Sequence, residues 1–103
     1  MLARIGGLDT HYTLEGEGPT VALLHGWGMS GQSLEPLAAV LRPEFQVLTP
    51  DLPGFGWSDP PPAAWGSAEY AAHVLGLLDR LGIQRPAVLG HSNGGRVAIR
   101  LAL

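Results

Sequence analysis

The stretch Gly90-His91-Ser92-Asn93-Gly94 leaves the backbone few options. An apolar run, Ala87-Val88-Leu89, leads into it. A helical pattern, Val97, Ala98, Leu101 and Ala102, leads away. A strand must therefore turn into a helix within a few residues. The residue at the tip of so sharp a turn is exposed, and its neighbours must not carry clashing Cβ atoms. Gly90 and Gly94 meet that condition on either side of Ser92. A helix starting near Asn93 also aims its unpaired N-terminal amides at the same spot.

The remaining elements place this turn in an α/β fold. Ala3–Ile5 and Thr10–Leu14 read as short strands joined at Gly6-Gly7, an antiparallel hairpin. Thr20–Leu24 is continuously apolar after its first residue, which suits a strand buried on both faces. It ends in His25-Gly26-Trp27-Gly28. Ser33 is placed as an N-cap, Leu34, Leu37, Ala38 and Leu41 as a helix face, and Pro43 as the stop. Phe45–Thr49 is the next strand, and residues 51–66 form a loop dense in Pro and Gly. Ser67 is read as the cap of a second helix with Tyr70, Val74, Leu77, Leu78 and Leu81 on its apolar face. Gly82 ends that helix in the left-handed position after its last turn. Strands alternating with helices imply crossovers and a mostly parallel sheet, helices on both faces, flanked by the antiparallel N-terminal hairpin. No glycine, asparagine or proline closes the last helix. The expectation is the N-terminal portion, residues 1–103, of a single domain that is incomplete at its C-terminus, with an unpaired edge strand.

Composition removes several classes of function. There is no cysteine, so disulfides, thiolate metal sites and cysteine catalysis are excluded, and no metal site is expected. There is no lysine, and the six arginines are scattered at a net charge of −3, which argues against nucleic acid as a partner. No lysine also means no Gly-Lys-Ser/Thr phosphate loop, and the first-strand turn lacks G-x-G-x-x-G, so no cofactor is expected. The N-terminal residues lack the apolar region of a signal peptide, and no run approaches a membrane span. The default is a cytoplasmic protein that binds neither membrane nor nucleic acid. Nothing in the sequence speaks to its oligomeric state.

Three motifs together resemble the α/β-hydrolase family: His25-Gly26-Trp27-Gly28, Asp51-Leu52-Pro53-Gly54-Phe55-Gly56-Trp57-Ser58-Asp59, and Gly90-His91-Ser92-Asn93-Gly94-Gly95. They stand in the family's order, each after a strand. The resemblance implies that Gly90–Gly94 is a nucleophile elbow with Ser92 as nucleophile. It implies an oxyanion hole made by the backbone amides of Trp27 and Asn93, with His25, Gly26, Gly28, Gly90 and Gly94 shaping the site. Family members that open epoxides or remove halides carry an aspartate at the elbow. Ser92 therefore implies an acyl, ester-type small-molecule substrate, and the motifs look closest to small bacterial carboxylesterases. A non-catalytic member with the same fold is the alternative.

A serine nucleophile needs a base and an orienting acid. In this family both follow the serine, and only eleven residues follow it here. None of the four histidines has the base's place in the order. His25 is expected to hold the oxyanion loop by hydrogen bonds, and His91 to diverge from Ser92 at the turn. His73 is expected at the surface, and His11 in the first hairpin. Asp51 and Ser58 are expected to hydrogen-bond the backbone of their own turn.

Overall fold

The computed structural model describes residues 1–102. The elements are β1 (Leu2–Ile5), β2 (Leu8–Glu15), β3 (Thr20–Leu24), a 3₁₀ turn (Gly31–Leu34), α1 (Glu35–Leu41), β4 (Gln46–Pro50), α2 (Ser67–Leu81), β5 (Ala87–Gly90) and α3 (Asn93–Ala102). The five strands form one mixed sheet in the order β1-β2-β4-β3-β5. β1 pairs antiparallel with β2, and β2 antiparallel with β4. β3 lies between β4 and β5 and is parallel to both.

That order contains a reversal. The chain leaves β3, crosses by α1 to β4 on one side, then returns by α2 to β5 on the other. Right-handed crossovers in opposite directions put their helices on opposite faces. The two faces of β3 show it. Val21 and Leu23 pack with Val47 and Ala38 under α1, joined by Leu34, Leu41 and Phe45. Ala22 and Leu24 pack with Leu48, Val74, Leu77, Leu78 and Val97 under α2 and α3. The continuous apolar run of β3 is thus explained by burial on both sides.

The first helix differs from the expectation at its start. Ser33 lies inside the 3₁₀ turn, Ser30 is the N-cap, and Ser33 Oγ accepts the Ser30 N–H at 3.2 Å. Pro36 sits in the first turn of α1, where its missing N–H costs nothing. Leu37 does not belong to the buried face and is 41% exposed. The tight turn offsets the helix phase, so Leu34 and Leu41 reach the core through different geometries.

The second helix also begins one residue earlier in its capping than the sequence suggests. Gly66 is the N-cap and Ser67 the first helical residue. Glu69 Oε2 accepts the Gly66 N–H at 3.3 Å, and Ser67 Oγ takes a hydrogen bond from Arg100 Nε of α3. At the other end Gly82 adopts φ 69°, and the Ile83 N–H reaches Leu78 O at 2.9 Å. That closure satisfies carbonyls the helix leaves open. No helix among the described residues is long and apolar enough to cross a membrane.

Candidate active site

The reversal between β4, β3 and β5 opens a crevice at the strands' C-terminal ends, where α/β sheets place their ligands. The register Leu24↔Gly90 brings the loop after β3 beside the turn after β5. His91 N–H donates to Leu24 O at 2.9 Å, which extends that pairing one residue past the strands.

Ser92 has φ 56°, one of two non-glycine residues at positive φ among the described residues. The left-handed region costs a residue with a Cβ about 1–2 kcal/mol. The surrounding turn enforces it. Gly94 N–H donates to His91 O and Gly95 N–H to Ser92 O, both at 2.9 Å, so the chain enters α3 at once. The glycines are needed for a steric reason. A Cβ on Gly90 would overlap the Gly94 carbonyl and the Gly95 nitrogen. A Cβ on Gly94 would overlap the Leu24 carbonyl and approach His25 O within 2.7 Å. Ser92 itself is exposed.

Across from it runs His25–Gly28. A Cβ on Gly26 would stand 3.1 Å from both Ser92 Cβ and His91 O, so the two loops are nearly in contact. Gly28 has φ 72°. Among the described residues, neither the Trp27 nor the Asn93 backbone amide is taken by another backbone carbonyl. The Trp27 indole is 54% exposed and is braced by Phe55 at 5.0 Å and Tyr70 at 5.5 Å between ring centroids.

His25 is fully buried beneath this loop. Its Nδ1–H donates to Gly26 O at 2.8 Å, and its Nε2 accepts the Leu52 N–H at 2.9 Å. Only the neutral tautomer with the proton on Nδ1 makes both bonds. Burial pushes its pKa down, partly offset by the bond to Gly26 O and the charge of Asp51. His25 thereby ties the loop after β3 to the loop after β4.

The loop after β4 is organised by Asp51, whose carboxylate is almost wholly buried. Oδ1 accepts the Gly31 N–H at 2.6 Å. Oδ2 accepts the Trp57 N–H at 3.0 Å and the His11 Nδ1–H at 3.0 Å. Ser58 Oγ donates to Asp51 O at 2.6 Å and accepts the His11 N–H at 2.9 Å. Gly56 has φ 53°, and a Cβ there would collide with the Asp51 carboxylate. The partnership of Asp51 with His11 was not legible, because the two are forty residues apart and no local pattern pairs them.

His73 is buried, not at the surface as the sequence reading has it. Its Nε2 is 2.8 Å from Thr10 Oγ1, whose hydroxyl also reaches Leu8 O, and Trp65 leans on its ring at 5.6 Å. Burial lowers its pKa. Its place in the pattern was visible: His73 precedes Val74 and follows Tyr70 by three, on the apolar face. Three of the four imidazoles are thus engaged away from Ser92, and His91 sits with Nδ1 3.6 Å from the Gly26 Cβ position.

The family model for the alpha/beta hydrolase fold matches residues 19–103, and the chain belongs to that family. A soluble epoxide hydrolase of Corynebacterium is 36% identical over 97% of this chain and 35% of its own length. A pimeloyl-[acyl-carrier protein] methyl ester esterase of Vibrio campbellii is 39% identical over 92% of this chain and 35% of its own. A thermophilic esterase structure from Thermogutta terrifontis superposes with a TM-score of 0.93 at 29% identity, covering 99% of this chain and 40% of that one. The chain therefore spans about a third of the length of the relatives it matches.

Proposed function

We propose that Ser92 is the nucleophile of a hydrolase acting on an acyl, ester-type bond of a small-molecule substrate. The observation that carries this is the exposed, left-handed Ser92 at the tip of β5, facing the His25–Gly28 loop. In this reading Ser92 Oγ attacks the substrate carbonyl as a base removes its proton. The carbonyl oxygen becomes an oxyanion held by the Trp27 and Asn93 amides. Collapse expels the alcohol, which takes the proton back from the base. Water then attacks the acyl-enzyme by the same route and releases the acid. The relatives include both an epoxide hydrolase and an ester hydrolase. A serine at the elbow favours the second chemistry here.

The base and its orienting acid are proposed to lie outside residues 1–103. His11, His25 and His73 are each engaged away from Ser92. That same engagement favours a second reading, a hydrolase-fold protein without catalysis. A cytoplasmic setting, no cofactor and an acyl substrate complete the proposal. The test uses the protein as its host makes it, treated with a fluorophosphonate. Mass shift on the peptide holding Ser92, lost in Ser92→Ala, supports an acyl-enzyme route. A folded sample that does not react, or reacts elsewhere, favours the non-catalytic reading.

A further inference from the structure

A second concavity lies away from Ser92, on the antiparallel flank of the sheet. Pairing Thr13↔Thr49 and Glu15↔Val47 puts these residues on the α1 side of β2 and β4. α1 covers Val47 but not the strands beyond it. The uncovered area is a groove of about 690 Å³ between β2, the 3₁₀ turn and the Asp51 loop. Its lining is polar where the rest of that face is apolar. β2 alternates His11, Thr13 and Glu15 into the groove, with Tyr12 and Leu14 on the opposite face against the core.

We propose that this groove is a binding site for a small, neutral, polyhydroxylated ligand, a sugar unit or a closely related polyol. Charge selects against ions. Asp51 is saturated by Gly31, Trp57 and His11. Glu35 is held by Arg42 at 2.5 and 3.2 Å, and that bond keeps its carboxyl below the usual range. Arg42 also stands 3.9 Å from Glu15. The carboxylates are therefore compensated before any ligand arrives, and among the described residues no free cation lines the groove for an anion.

What remains is a set of hydrogen-bonding groups. His11 spends Nδ1 on Asp51, which leaves Nε2 free to hydrogen-bond a ligand. Thr13, Ser30 and Gln32 add two hydroxyls and an amide to the walls. Thr49 lines the floor, is buried, and its Oγ1 is the one buried side-chain polar atom among the described residues with no hydrogen-bond partner. This hydroxyl lies at the floor of the groove and is free to bond whatever fills it. On the rim Trp57 is 80% exposed, with its backbone fixed by Asp51. An aromatic face beside several hydroxyl and amide groups matches the apolar C–H face and polar edge of a pyranose ring.

The site is independent of the chemistry at Ser92, and its test separates the two. Saturation-transfer NMR on the full-length protein uses methyl β-D-glucoside, methyl β-D-galactoside and methyl α-D-mannoside, with tyramine as a cationic aromatic control. At least one hexoside is expected to bind saturably. Trp57→Ala is expected to weaken it about tenfold, and Thr49→Val about three- to tenfold, the worth of one hydrogen bond. Both substitutions keep the fluorophosphonate reaction of Ser92. No saturable hexoside signal overturns the proposal. So does a signal that both variants leave unchanged, or binding of tyramine alone.

Discussion

Two glycine-rich loops flank the His25–Gly28 segment, and they are held by opposite means. Among the described residues, no side-chain hydrogen bond fixes the turn at Gly90–Gly94; it is shaped by what cannot fit. A Cβ at Gly90 would strike the Gly94 carbonyl at the start of α3, and one at Gly94 would strike the Leu24 carbonyl of β3. The loop at Asp51–Asp59 is shaped by attraction. One buried carboxylate accepts three donors, and Asp59 pins the loop to β2 through Asp9. The first loop is rigid because the sheet leaves it one path. The second is ordered because a charged acceptor is worth more buried with its donors than without them. Loops of similar composition thus fail under different substitutions.

The largest effect should come from crowding the first loop. Gly94→Ala puts a methyl into the Leu24 carbonyl, which already accepts the His91 N–H at the end of the β3–β5 ladder and has little room to retreat. We expect a loss of about 3 kcal/mol or more, at the top of the overpacking range. Gly82→Ala is the control. Gly82, unlike Gly94, has positive φ, 69°, but nothing lies within 4 Å of its Cβ position. It should cost only about 1 kcal/mol of backbone strain. Equal losses in chemical melts of the two variants would mean that the collision at Gly94 is relieved, and that the elbow is not shaped by what cannot fit.

The next effect should come from removing the acceptor of the second loop. Asp51→Ala leaves the Gly31 and Trp57 amides and His11 without a partner. Each buried donor left without its acceptor costs about 1–3 kcal/mol, and relaxation of an exposed loop tip should bring the total to about 2–3 kcal/mol. Asp51→Asn keeps one acceptor and should lose about half as much. If Asn melts like Ala, shape rather than hydrogen bonding holds this loop, and the contrast with the elbow collapses.

How far the sequence reaches follows from the same contrast. The elbow could be read because its cause is local: glycines flanking a serine between an apolar run and a helical pattern. Likewise β3 was legible as a doubly buried strand, and Gly82 as a helix terminator. Asp51 was visible as a residue that bonds its own turn, but its bonds to His11 and Gly31 were not, since they join separate elements. His73 was misread because a histidine on an apolar helix face needs a specific partner, and Thr10 lies on the distant hairpin. The helix starts at Ser33 and Ser67 were misplaced for a smaller reason. Either serine can cap, and the choice was made by the 3₁₀ turn and by Gly66.

The buried histidines make stability depend on pH. His25 and His73 both have pKa values lowered by burial. The unfolded chain, with histidines near about 6.5, therefore binds protons that the folded chain refuses. Stability should be full above that value and fall as pH drops below it toward the folded values. His73→Gln should flatten the part of this slope that His73 carries in melts between pH 7.5 and 5. An unchanged slope would mean His73 stays neutral in neither state or both, and that the α2–hairpin contact at Thr10 carries no proton linkage.

The smallest effect separates strain from chemistry at Ser92. Its φ of 56° is unfavourable for a residue with a Cβ, by about 1–2 kcal/mol, and the steric walls around it allow no relief. Ser92→Gly removes that strain but adds freedom to the unfolded chain, worth about 0.5–1 kcal/mol in the other direction. The net should be a gain of up to about 1 kcal/mol. Ser92→Ala keeps the Cβ and should melt within a few tenths of the parent. Both lose the fluorophosphonate reaction. A glycine variant clearly more stable than the alanine one shows that the turn imposes a cost on whichever side chain it presents. If instead the two melt together, the left-handed backbone at Ser92 is accommodated without strain, and the elbow owes its shape to its neighbours alone.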